Sequence, residues 1–136
     1  MYSRCLGFDY GMASTGVAVG HVATITVEPI GAIVMDRGHP VWQDVERLIY
    51  DWSPDVLLVG KPVRVDGKQQ AIATRAKLFC KQLEQKFDLP VVEVDERFST
   101  VEARAEIFAI SGVRGLTKSQ IDAQSAAIIC HQWLCG

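Results

Sequence analysis

The chain has 136 residues, of which 49% are hydrophobic and 22% charged, with a formal net charge of −2. That length suits one compact domain spanning residues 1–136, and the apolar fraction supports a real core and argues against disorder. No apolar stretch approaches the roughly 20 residues of a membrane helix, and no basic-then-apolar leader precedes the first strand-like residues, so the expectation is a cytoplasmic protein without a membrane partner.

Residues 4–10 (RCLGFDY) read as a buried strand. A turn at Gly11-Met12-Ala13-Ser14 leads to a second strand over about 15–21, and a third follows near 25–34. Connections this short imply antiparallel hairpins. Gly38-His39-Pro40 then breaks the chain. Val41, Val45, Leu48, Ile49 and Trp52 recur at helical spacing until Ser53-Pro54. Val56-Leu57-Leu58-Val59 is the all-apolar run of a parallel strand covered on both faces. A Gly/Pro/Asp-Gly loop is expected over 60–68, and then a long helix whose inner face is Ile72, Ala76, Phe79, Leu83 and Phe87.

Residues 91–95 are a further buried strand. Ser99 with Glu102 forms a capping-box pattern that opens a helix to about residue 110. Ser111-Gly112-Val113-Arg114-Gly115 is expected to be a mobile loop, and Thr117 with Gln120 is a second capping box, at the head of the C-terminal helix. The order β-β-β-α-β-α-β-α-α predicts an α/β fold. Its sheet is mixed and five-stranded, three antiparallel N-terminal strands and two parallel ones, with helices on both faces.

Three acids stand where a core does not want them. Asp9 closes the first strand, although Asp is depleted in strands; viewed alone it also suits an Asx turn before Gly11. Glu96 lies at the carboxyl end of a parallel strand, where ligands of α/β sheets gather; viewed alone it equally suits a surface pair with Arg97. Asp122 shares a helix face with Ser125, Ala126, Ile129 and Trp133, the face expected against the sheet. The helix dipole lessens the cost of an acid in these early turns without accounting for its place on that face. Carboxylates gathered from three neighbouring elements repel one another unless a cation intervenes, and an all-oxygen donor set suits Mg²⁺ or Mn²⁺. Such ions hydrolyse phosphodiesters without a serine nucleophile.

The rest of the charge pattern is uneven. Residues 1–60 carry three basic and seven acidic side chains, whereas Lys61 to Lys81 holds six bases (Lys61, Arg64, Lys68, Arg75, Lys77, Lys81) against Asp66. A local basic surface attracts phosphate even on an acidic protein, because salt screens distant charge; a solvated helix face gives the same pattern. Cys5, Cys80, Cys130 and Cys135 form no CxxC pair and read as reduced thiols. Cys130, His131 and Cys135 on one helix do not converge on a tetrahedral zinc ion.

Several blocks occur in order: Phe8-Asp9-Tyr10-Gly11, Ser14-Thr15-Gly16-Val17-Ala18-Val19-Gly20, Val59-Gly60-Lys61-Pro62 with Asp66-Gly67, Asp95-Glu96-Arg97-Phe98-Ser99-Thr100, and Asp122-Ala123-Gln124-Ser125-Ala126-Ala127. The chain closely resembles the bacterial YqgF family, whose members go under the names Holliday junction resolvase and pre-16S rRNA nuclease. The resemblance covers essentially the whole chain and implies an RNase H-like fold. Position by position it implies that Asp9, Glu96 and Asp122 are the catalytic, metal-binding acids of a nuclease that matures the small-subunit ribosomal RNA. Lys61 departs from the leucine that the family usually carries in a Gly-Leu-Pro turn. Lys61, Arg64, Lys68 and Arg75 are candidates for backbone contacts with the nucleic acid. Arg97 would orient Glu96 or touch the phosphate, a structural pair with Glu93 or Glu102 being the alternative. Arg114 and Lys118 would close over substrate, and Tyr10 would stack on a base or pack on the sheet.

Other readings differ in substrate or class. A Holliday junction resolvase would act on four-way DNA as a two-fold dimer; monomer and homodimer are both compatible with the residues, as are ribosomal assembly partners. A phosphate-binding ATPase domain would share the Asp9–Gly16 loop but requires two such domains around a cleft. A non-catalytic nucleic-acid-binding module would be marked by loss of an acid, and all three are present.

Overall fold

Continuous apolar runs, buried on both faces, build the first two strands. The computed structural model describes residues 2–62, 67–96 and 117–136, with the backbone alone at positions 62, 67–69 and 96. Strands β1 (Arg4–Asp9), β2 (Ser14–His21) and β3 (Thr26–Asp36) form antiparallel hairpins, with a bulge at Ile30 of β3 opposite Val17 and Ala18 of β2. Strand β4 (His39–Pro40) pairs with Met35 and Asp36. Helix α1 (Trp42–Trp52) follows and stops at Ser53, whose φ of 46° turns the backbone left-handed. Strand β5 (Val56–Pro62) runs parallel to β1, and after helix α2 (Gly67–Phe87) strand β6 (Val91–Glu96) runs parallel to β5. Helix α3 (Lys118–Cys135) opens with the expected reciprocal cap between Thr117 and Gln120.

The sheet is mixed, with helices on both faces, but has six strands in the order β4-β3-β2-β1-β5-β6, not five. The additional strand arises from a tight turn at Arg37 (φ 51°) and Gly38 (φ 85°), both left-handed as a two-residue hairpin loop requires. The Gly38 N–H donates to the Met12 carbonyl at 2.8 Å, which folds this hairpin back over the β1–β2 turn. The loop expected over 60–68 is also shorter, since β5 continues to Pro62 in register with Glu96 and α2 starts at Gly67. Ile72, assigned to the inner face of α2, is 37% exposed. The helix expected from Ser99 and the loop at 111–115 lie outside the described residues.

The pleat divides the core in two. Leu6, Phe8, Val17, Val19, Leu57 and Val59 pack against Val45 of α1 and Ala76, Phe79 and Leu83 of α2. Phe79 anchors this side, with Phe8, Tyr10 and Trp42 ring centroids 5.5, 5.4 and 5.9 Å away. On the other face Cys5, Ala18, Val56, Leu58 and Val94 pack against Ala126, Ala127, Ile129 and Cys130 of α3. Both faces of β5 are therefore buried, as its uninterrupted apolar run requires, and each large side chain contributes about 1.5–3 kcal/mol.

Candidate functional site

Asp9 ends β1 on the α3 side of the sheet, because Cys5, two pleats earlier, belongs to that face. Its partner across the β1–β2 ladder is Gly16. A Cβ built on Gly16 would meet the Asp122 carbonyl oxygen at 1.9 Å and the Asp122 Cα at 3.1 Å. No residue with a side chain fits there. Helix α3 thus rests its backbone directly on β2 and brings Asp122 over the Asp9–Gly16 pair.

The Asp122 side chain is 19% exposed. Its Oδ2 accepts a hydrogen bond from Ser14 Oγ at 2.7 Å and another from the Lys118 ammonium at 3.1 Å. Ser14 comes from the first residue of β2, and Lys118 from one turn earlier on α3. Neither contact was foreseen, although the i, i+4 spacing of Lys118 and Asp122 is visible in the sequence. Ser14 carries no comparable signal, because a serine after Gly11 reads equally well as a turn residue.

Glu96 is the last residue of β6, with its backbone paired to Pro62. Phe8, Val59 and Glu93 form one row across β1, β5 and β6, so Asp9 and Glu96 both lie at the carboxyl ends of parallel strands. The Glu96 side chain lies outside the described residues. Among the described residues, no three His, Cys, Asp or Glu side chains gather as a metal site. The described pair of acids is nonetheless of the right chemistry for Mg²⁺ or Mn²⁺, since both present hard oxygen donors. Asp122 already attracts a positive charge in the form of the Lys118 ammonium.

The candidate substrate residues are dispersed. Lys61 lies on the α2 side of the sheet with Val59, at a cavity of about 260 Å³ that Thr74, Lys77 and Cys80 also line. Arg75, exposed on α2, donates to the Arg37 carbonyl at 3.1 Å. Both therefore lie across the sheet from Asp9 and Asp122. Arg64, Arg97 and Arg114 lie outside the described residues, as does the side chain of Lys68. Tyr10 packs in the core at 8% exposure, and its hydroxyl donates to the Gly38 carbonyl at 2.8 Å, so its ring is not offered to a base. Burial raises the Tyr10 pKa, with Arg75 opposing the shift.

Cys130 is buried, its thiol directed at the Ala18 carbonyl at 3.7 Å, whereas the exposed Cys135 pairs with His131 at 3.6 Å. Cys130 thus faces the core while His131 and Cys135 meet at the surface, so the three do not converge on one ion. No helix among the described residues is long and apolar enough to cross a membrane.

Known proteins share this arrangement of sequence and fold. A profile of the RuvX family, described as Holliday junction resolvase, matches residues 3–135. A protein of Shewanella denitrificans named "Putative pre-16S rRNA nuclease" is 41% identical over 133 residues, covering 98% of this chain and 94% of that one. A protein of the same name from Haemophilus ducreyi is also 41% identical, over 98% of this chain and 96% of its own. Among solved structures, T. thermophilus RuvC in complex with a Holliday junction substrate superimposes with a TM-score of 0.59 at 14% identity. That alignment covers 97% of this chain and 93% of RuvC, a likeness of fold.

Proposed function

This chain belongs to the RuvX family, which the block-by-block resemblance identified as YqgF, and on that premise we propose that it is a metal-dependent nuclease of ribosomal RNA maturation. Its substrate is the precursor of the small-subunit ribosomal RNA, cut in the cytoplasm with Mg²⁺ or Mn²⁺ as cofactor. The observation that carries the reading is the seating of Asp122 on Gly16, directly over the partner of Asp9. Two acids brought from different elements to one sheet end suit a shared cation.

Asp9, Asp122 and Glu96 would hold the ions, which when bound supply an activated water and a stabilised leaving oxygen. The protein's own part is placement. Strand β1 fixes Asp9, α3 fixes Asp122, and the buried ladder between β1, β5 and β6 sets where Glu96 begins. Arg97 and Arg114, which lie near the acids in sequence, and Lys61, Arg64 and Lys68 are assigned to the phosphate backbone, which positions a nucleic acid without reading its sequence, whereas Arg75, a candidate by its place in the charge run, is tied to the Arg37 carbonyl. Ribosomal RNA is favoured over a DNA junction because the relatives at 41% identity carry the rRNA name, whereas the likeness to RuvC is one of fold.

A cleavage assay in Mg²⁺ or Mn²⁺ with three substrates tests this: precursor small-subunit rRNA, an unrelated single-stranded RNA, and a four-way DNA junction. Cutting of the precursor alone is expected. Cutting of the junction alone would move the chain to the resolvases, and failure with all three would remove the nuclease reading.

A further inference from the structure

One oxygen of Asp122 is held twice, by groups of opposite mechanical character. Ser14 sits in the β2 ladder opposite Val34, and its short side chain has one rotatable bond. Its O–H···O⁻ contact of 2.7 Å is a charge-assisted hydrogen bond from a fixed element. Two residues further along the same strand, Gly16 carries the backbone of Asp122. Strand β2 therefore sets both where the helix rests and which way the carboxylate turns.

Lys118 differs on every count. Its side chain is 77% exposed, it reaches Asp122 along a four-carbon stem, and it belongs to the same helix as its partner. An ammonium on such a stem is a hydrated point charge, not a rigid strut. Its contribution is charge. Asp122 is largely covered, so a compensating cation lowers the energy of its charged form in the metal-free protein.

We propose that Ser14 and Lys118 divide the holding of Asp122: Ser14 is a positioning residue that fixes the carboxylate for metal, and Lys118 is a resident counter-cation that an arriving divalent ion displaces. The inference rests on the reading of Asp122 as a metal ligand. A divalent ion and an ammonium on the same carboxylate oxygen repel at close range, so they exchange instead of adding. The exposure of Lys118 makes departure easy, since its ammonium regains water as it leaves. Ser14 has no charge to conflict with the ion and stays.

The test is Mn²⁺ binding by titration calorimetry at constant ionic strength, with thermal melts in chelator. The variants are Lys118→Met, Ser14→Ala, Ser14→Thr, Asp122→Asn and the double variant Lys118→Met/Asp122→Asn. Lys118→Met should bind Mn²⁺ about two- to five-fold tighter than the parent, the range an exposed ion pair supports. It should melt lower in chelator, with the gap closing at saturating Mn²⁺, and should not alter melting once Asp122 is Asn. Ser14→Ala should bind Mn²⁺ about two- to ten-fold more weakly, because a carboxylate no longer held in place must be ordered on binding, and Ser14→Thr should restore it. Unchanged or weaker Mn²⁺ binding in Lys118→Met, or Ser14→Ala binding like the parent, overturns the inference while Asp122 stays a ligand. A parent that binds no Mn²⁺, or an Asp122→Asn variant that binds as well as the parent, overturns the metal reading and the inference with it.

Discussion

Carboxylates that serve a cation and carboxylates that serve the fold respond oppositely to loss of charge. Asp9→Asn, Glu96→Gln and Asp122→Asn are each nearly isosteric, and each removes one negative charge from the proposed ion site. All three are expected to abolish metal-dependent cleavage. Without metal the acids repel one another, so at least one variant should melt above the parent in chelator. A cap or ion-pair acid would instead lose roughly 0.5–2 kcal/mol. Thermal melts in chelator beside cleavage rates in Mn²⁺ separate the two, and three variants that melt lower yet cut RNA normally would end the metallonuclease reading. A second residue-level effect comes from Cys80, whose thiol burial, with Glu93 and Glu84 nearby, pushes from an ordinary 9.0 up to about 12. The folded protein keeps a proton that the unfolded chain releases above about pH 9, so the stability this contributes is complete below that pH and is lost as pH rises toward 12. Denaturant midpoints should fall more steeply between about pH 8 and about pH 10 in the parent than in Cys80→Ala. Equal slopes would show that Cys80 ionises alike in both states.

At the scale of elements, the site depends on how closely α3 approaches β2. A methyl group at Gly16 would lie 1.9 Å from a backbone oxygen of Asp122, and a helix backbone cannot rotate aside. Gly16→Ala should therefore cost at least about 1–3 kcal/mol and shift Asp122 off its seat. Gly7→Ala is crowded by the Cys130 sulfur at 2.4 Å, a side-chain atom, and meets backbone oxygens only at the ordinary contact distances of 3.5 and 3.9 Å, so its cost should be smaller. Denaturant unfolding of both variants checks the order, and equal destabilisation would mean that α3 yields readily. The same close approach explains what could be read in advance. Asp122 was legible because an acid interrupts a face whose other members, Ser125, Ala126 and Ile129, are buried. The α3 cap and the all-apolar β5 were legible because local chemistry alone specifies them. Strand β4 was not, since it depends on Arg37 adopting a left-handed backbone that its side chain does not advertise. The C-terminal end of β5 was missed for a related reason: Pro62 is ordered by pairing with Glu96, 34 positions away, a tertiary effect that turn composition conceals.

Across the whole molecule, the sheet puts the candidate acids and the described candidate bases on opposite faces. The acids Asp9 and Asp122 occupy the α3 side, and the described basic candidates Lys61 and Arg75 the α2 side. A strand of RNA cut at the acids reaches the α2 side only by passing over the carboxyl ends of β1, β5 and β6. Lys61 stands next to last in β5, at that rim, and its side chain is exposed. Arg75 is set further back, its guanidinium tied to the Arg37 carbonyl of the β3–β4 turn. These two positions should therefore behave differently although both are exposed bases in one charge run. Each phosphate contact releases condensed counterions and adds roughly 0.7 to the slope of log affinity against log salt on a single strand. Lys61→Glu should lower that slope by about one contact and weaken RNA binding at low salt, whereas Arg75→Glu should leave the slope as in the parent. Binding measured over a salt series with catalytically silent Asp122→Asn protein keeps the RNA intact during the experiment. If both slopes fall, the RNA wraps well onto the α2 face; if neither falls, the basic run between Lys61 and Lys81 serves solubility, and the phosphate contacts belong to the α3 side.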